Sequence, residues 1–131
     1  MPVLYEIDRD RALVRTTCAG FVTFDQVMAH FSALERDPRC RDLMDVILDL
    51  RQVTSMPETS QLRQVAERIA AGESRLRYGR LAIVAVEPER VGMGKLFVQF
   101  AQGRFVAATV VPTIEDAARW LEDTTAREIS A

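Results

Sequence analysis

Val3, Tyr5 and Ile7 alternate with Leu4, Glu6 and Asp8, the period of a half-buried strand. After a polar turn at Asp8–Arg11, Ala12–Cys18 supplies a second extended run, so the two predict a hairpin, with Gly20 breaking the extended segment. Thr23 and Gln26 have the spacing of a capping box, in which each side chain satisfies a backbone N–H at a helix start. Phe24, Val27, Met28, Phe31 and Leu34 follow at helical spacing. Asp37–Pro38 closes that helix, because the residue before a proline avoids the α region.

Val46–Leu50 is apolar except for Asp49, the pattern of a short strand covered on both faces, with Asp49 expected at its end bonding to loop backbone. Ser55 and Glu58 repeat the capping-box spacing, and Pro57 is tolerated in a first turn. Leu62, Val65, Ala66, Ile69 and Ala70 form an apolar stripe that Gly72 ends as a C-cap. Leu81–Val86 reads as another buried strand, and Glu89–Ala101 as a helix with Met93, Leu96, Phe97 and Phe100 on one side. Phe105–Val111 is the last strand, and Thr113 caps a final helix carrying Ile114, Ala117, Ala118 and Leu121, with Trp120 nearby. The order β-β-α-β-α-β-α-β-α implies an α/β fold: a mostly parallel sheet of four to five strands, an antiparallel N-terminal edge hairpin and about four helices. Residues 1–124 read as one domain, followed by a short polar tail at 125–131.

Composition narrows the function classes. The 131 residues are 48% hydrophobic and 27% charged, ordinary for a globular protein. A net charge of −2 provides no drive toward nucleic acid, whose binding needs clustered cations. The longest apolar runs are far short of a bilayer span, and Met1–Glu6 lacks the basic start and apolar core of a signal peptide. Cys18 and Cys40 form no C-x-x-C pair and read as reduced thiols of a cytoplasmic protein. A single histidine, His30, leaves little for a metal site, and no cofactor motif is complete. His30 itself is expected to face solvent on the first helix.

The element order, with Ile47-Leu48-Asp49-Leu50 leading through Val53-Thr54-Ser55-Met56 into a helix, resembles the STAS domain of anti-sigma factor antagonists and sulfate transporters. The resemblance spans nearly the whole chain and is nearest to the stand-alone bacterial SpoIIAA-like (STAS/SEC14-like) proteins, to which Leu81–Val86 and Ala117–Leu121 are also similar. It implies a regulatory module that acts by binding a protein. In the antagonists the turn carries Asp-Ser-(Ser/Thr)-Gly with a phosphorylated first serine; the matching positions here are Pro57, Glu58, Thr59 and Ser60. Glu58 therefore reads in two ways, as a fixed mimic of the phosphorylated state or as the capping partner of Ser55, which the spacing alone explains. Thr59 and Ser60 keep phosphorylatable hydroxyls.

Ligands of open α/β sheets gather at the carboxyl ends of the strands. That rim should hold Arg51–Glu58, Glu87–Gly94 and Pro112–Glu115. Glu58, Glu87 and Glu89 resemble an acid–base set, but no histidine or G-x-S-x-G turn accompanies them. Gly92-Met93-Gly94-Lys95 lacks P-loop spacing. Arg75, Arg77 and Arg80, with Arg68, form a basic cluster on the opposite rim.

Two functions follow. The first is a non-catalytic interaction module binding a protein partner, or itself as a homodimer, through Thr54, Ser55, Met56, Glu58, Thr59, Ser60 and Gln61, without the serine switch. The alternative is a carrier or sensor of a small apolar or lipid-like molecule, as the SEC14-like connection implies. Met93, Leu96, Phe97 and Phe100 would then line its pocket, with Gly92, Gly94 and Gly103 freeing the helix as a lid. An enzyme ranks last, for want of a nucleophile–base pair.

Overall fold

The computed structural model describes residues 3–70 and 77–130, with side chains at 3–69 and 77–123. Two antiparallel strands, β1 (Val3–Asp8) and β2 (Leu13–Phe21), form the expected hairpin. Beyond it, α1 (Phe24–Arg36), β3 (Asp45–Ser55), α2 (Thr59–Ala70), β4 (Arg80–Val84), α3 (Pro88–Phe100), β5 (Ala107–Val111) and α4 (Ile114–Ser130) alternate. The sheet order is β1-β2-β3-β4-β5, parallel from β2 onward.

Both faces of the sheet follow from strand alternation. Val14, Cys18, Val46, Leu50, Leu81 and Ile83 turn to one face, where they meet α1, α2 and α3 in the main core. All three crossover helices share that face because consecutive parallel strands lie side by side and right-handed crossovers return on one side. Ile47, Ala82 and Val84 turn to the other face, where, among the described residues, α4 covers them through Ala117 and Leu121. Ala118, expected in the same stripe, is exposed instead. The helix of α4 runs on through the polar 125–131 segment as far as Ser130.

Several local expectations hold. Gln26 N–H donates to Thr23 Oγ1 while Thr23 N–H donates to Gln26 Oε1, a complete capping box. The helix they start ends at Asp37, ahead of Pro38. Thr113 Oγ1 accepts from Asp116 N–H at the start of α4. Three others do not. Gly20 does not end β2: at φ +69° it sits within a bulged stretch, and the strand continues to Phe21. The third strand does not stop at Leu50 but runs to Ser55, so Asp49 lies mid-strand and takes its bonds from the Arg51 guanidinium and N–H. As a strand residue, Ser55 accepts from Val22 N–H through its carbonyl and starts no helix.

The basic cluster expected on the opposite rim is dispersed into separate ties. Arg68 bonds Glu35 at 2.7 Å and Ser32 at 2.9 Å, joining α2 to α1. Arg77 pairs with Asp42 at 3.7 Å. Arg80 bonds both Asp45 oxygens and the Leu121 carbonyl, joining β4 to β3 and α4. Each arginine meets its own acid because the chain places carboxylates on neighbouring elements. Arg75 and the Gly72 cap lie outside the described residues.

Candidate functional site

The carboxyl ends of the strands form an uneven rim. The β3–β4 ladder stops at Asp49 opposite Val84, whereas β2 and β3 continue together to Phe21 and Ser55. A two-stranded ribbon thus rises above the rest of the sheet. Phe21 stands on it 66% exposed, beside Ser55. Val86, where the chain leaves β4, is 60% exposed. Val86 belongs to the run Leu81–Val86 that reads as a buried strand, but β4 ends at Val84 and leaves it outside; for Phe21 the available signal is an apolar residue directly after Gly20.

Of the residues singled out along the rim, Thr54, Glu58, Thr59 and Ser60 are exposed, while Ser55, Met56 and Gln61 are half-buried. The helix start is built differently from the expected Ser55–Glu58 box. Glu58 directly precedes the helix, its carbonyl accepts from Leu62 N–H, and its own N–H donates to Gln61 Oε1. Gln61, not Glu58, thus supplies the reciprocal side-chain bond, and the Glu58 carboxylate is left free toward solvent. Glu87 and Glu89 are exposed as well, at the start of α3, where Glu87 makes no side-chain cap. Glu89 meets Arg90 at 3.2 Å.

Beneath the rim, between the sheet and α1–α3, lies an apolar cavity of about 60 Å³. Met93 and Phe97 line it, together with Met56, His30 and Cys18; Leu96 and Phe100 do not. Phe100 instead lies under the Arg63 guanidinium, 4.9 Å from its ring centre. The four-residue stripe is split because positions 93 and 97 are one turn apart, whereas 96 and 100 rotate toward the helix flank. Gly94 does not loosen α3. It brings the helix onto the sheet, where an added Cβ would stand 3.3 Å from Ile83 and 3.4 Å from Val110.

His30 is buried, 9% exposed, rather than solvent-facing. Its Nε2 lies 3.2 Å from Thr16 Oγ1, Nδ1 has no partner among the described residues, and the rings of Tyr5 and Phe31 flank it. Burial pushes its pKa down to about 4. Its i, i+4 spacing to the buried Leu34 was the available sign of this inward position. Burial, then the negative Asp49, push the Cys18 thiol up to about 12, so it is a poor nucleophile at neutral pH. Burial opposes the Asp49 charge, yet the hydrogen bonds from Arg51 hold its carboxyl below the ordinary value. The described residues contain no group of three or more His, Cys, Asp or Glu side chains able to hold a metal, and no helix among them is long and apolar enough to cross a membrane.

Among solved structures, the chain is similar to an uncharacterized protein of the DUF3478 family with a SpoIIAA-like fold from Shewanella loihica PV-4. The two share 14% identity over 91% of each chain, with a TM-score of 0.59. The fold is SpoIIAA-like. No family model and no curated protein matches the sequence. Within the SpoIIAA-like fold, the strand order here never reverses, so the sheet has no switch-point crevice. The relief of its rim comes from the early end of β4 instead.

Proposed function

We propose that this protein is a non-catalytic interaction module that binds a protein partner through the raised rim formed by Phe21 and Thr54–Gln61. The observation that carries this reading is Phe21, an aromatic side chain 66% exposed on the β2–β3 ribbon. Buried aromatic anchors ringed by polar groups dominate protein interfaces, and Thr54, Glu58, Thr59 and Ser60 supply such a ring. The free Glu58 carboxylate, standing where related antagonists carry a phosphorylated serine, supports binding without a kinase-operated switch. A binding rather than catalytic role also agrees with the enclosure of the lone histidine and the solvent exposure of the rim glutamates. The test is recovery of partners from native cells by Phe21→Ser and Glu58→Lys variants. Each should lower the recovered complex about tenfold, a loss of roughly 1.4 kcal/mol, without changing the thermal midpoint. Full recovery by both variants overturns the reading.

The cavity supports a second reading, a carrier of a small apolar molecule. At about 60 Å³ it is well below the roughly 150 Å³ of an engineered cavity that holds benzene, so it fits only a few heavy atoms unless α3 moves. Native mass spectrometry of the purified protein tests it, and a ligand-free mass in every preparation counts against it.

A further inference from the structure

The raised ribbon leaves one backbone edge open. Strand β3 runs to Ser55, but β4 accompanies it only to Asp49. A strand sends its N–H and C=O groups alternately to its two neighbours. Along Arg51–Ser55, the groups turned toward β2 have a strand beside them, whereas those turned to the β4 side have none. No loop backbone among the described residues bonds to them; Arg51 N–H is met by the Asp49 carboxylate, and the Ser55 carbonyl by Val22 on the β2 side. This open lane is about 16 Å long at ~3.3 Å per residue. Arg51, Gln52 and Thr54 are exposed along it.

The charges around the lane point to one kind of occupant. β4 ends at Val84 opposite Asp49, and the chain continues through the exposed Glu87 and Glu89 into α3, which packs on the main-core face. Glu115 and Asp116 begin α4 on the opposite face, and Glu58 follows the far end of β3. Three of the nearby cations are already engaged: Arg51 by Asp49, Arg90 by Glu89 and Arg119 by Asp116. Glu58 and Glu87 have no ion-pair partner among the described residues, and Glu115 makes no ion pair but lies within electrostatic reach of Arg51, so carboxylates stand beside the lane at the starts of α2, α3 and α4. A strand added there would send successive side chains alternately to the two faces of the sheet.

We infer that Arg51–Ser55 accepts an extended, arginine- or lysine-bearing peptide segment of a partner as an added strand in the lane that β4 vacates. This rests on the rim reading above and specifies the partner: main-chain bonds to β3 supply affinity, and cationic side chains meeting Glu58, Glu87 and Glu115 supply selectivity.

The experiment uses a fluorescein-labelled hexapeptide of alternating valine and arginine, the same peptide N-methylated on alternate residues in either register, and a valine–glutamate version. Fluorescence polarisation should show binding of the parent. At least one N-methylated register should bind about tenfold more weakly, and the glutamate peptide should not bind. Backbone amide shifts on adding the parent should concentrate at Arg51–Ser55 and Val84–Glu89, and a Glu87→Gln, Glu115→Gln double variant should bind it more weakly. Equal binding of the parent and both N-methylated peptides, shifts elsewhere, or no binding of the parent overturns the inference. If the edge fails but the rim reading stands, Phe21→Ser still loses the native partner. If the rim reading fails but the edge stands, that variant keeps the partner while the parent peptide still shifts Arg51–Ser55.

Discussion

Thr16 Oγ1 and His30 Nε2 meet at 3.2 Å between β2 and α1, with both side chains shut away from water. The pair holds an uncharged imidazole inside an otherwise apolar layer. An imidazolium there would lose its hydration, with Thr16 Oγ1 as its one hydrogen-bond partner among the described residues.

Acid should therefore weaken the fold through His30. Its pKa falls from 6.5 to about 4 on folding because burial disfavours the charged form. The unfolded chain thus binds the proton first, so the stabilisation is fully present above about pH 6.5 and is lost as pH falls toward 4. The effect amounts to about 3 kcal/mol. Urea unfolding at pH 7.5 and pH 4 should show a loss smaller by about that amount in His30→Gln than in the parent protein; equal losses would contradict the assignment.

The start of α2 can be dissected by two alanine substitutions. Gln61→Ala removes the acceptor of Glu58 N–H and should cost about 1 kcal/mol. Glu58→Ala leaves that bond in place and should cost less than about 0.5 kcal/mol, the ordinary range for a surface side chain. Chemical denaturation distinguishes this order from its reverse, which a Ser55–Glu58 box would require.

Gly79 should tolerate no side chain. A Cβ there would lie 2.7 Å from both the Leu43 carbonyl oxygen and Asp45 Oδ1. The carbonyl belongs to a backbone segment whose own N–H is bonded to Arg77, and Asp45 is held by Arg80. Neither can retreat cheaply, so Gly79→Ala should destabilise by about 1–3 kcal/mol in urea titrations.

Truncation along α3 should separate core from flank. Phe97→Ala empties a buried position and should cost about 3–5 kcal/mol. Leu96→Ala, at a half-exposed position outside the cavity, should cost less than about 1 kcal/mol. Similar losses at both positions would mean that α3 is rotated relative to the sheet.

Where local chemistry and burial agree, the sequence was legible. Alternation in Val3–Ile7, the Thr23–Gln26 box and the Thr113 cap each found the partner their spacing implied. Ser55 misled because its cap signal competed with pairing to β2, and the ladder, which adds bonds along the whole ribbon, absorbed it into β3. His30 misled because a polar residue on an amphipathic helix reads as outward, while its Thr16 partner lies 14 positions earlier and is invisible to local periodicity. The rim was legible as a region, but not its shape: the point where β4 leaves β3 depends on pairing between strands more than thirty residues apart. Half of the α3 stripe, Met93 and Phe97, came together at the cavity, since a list of apolar side chains does not distinguish the centre of a helix face from its flank.

The monotonic strand order also has a bearing on synthesis. Each strand from β2 onward pairs with the one emitted before it, so the sheet can grow in the direction in which the ribosome delivers it, without waiting for a distant segment to be threaded between strands already paired. The last helix is the exception. Until α4 emerges, Ile47, Ala82 and Val84 lack the cover of Ala117 and Leu121, so a nascent chain paused before Ile114 would present a sticky, half-finished sheet to its surroundings.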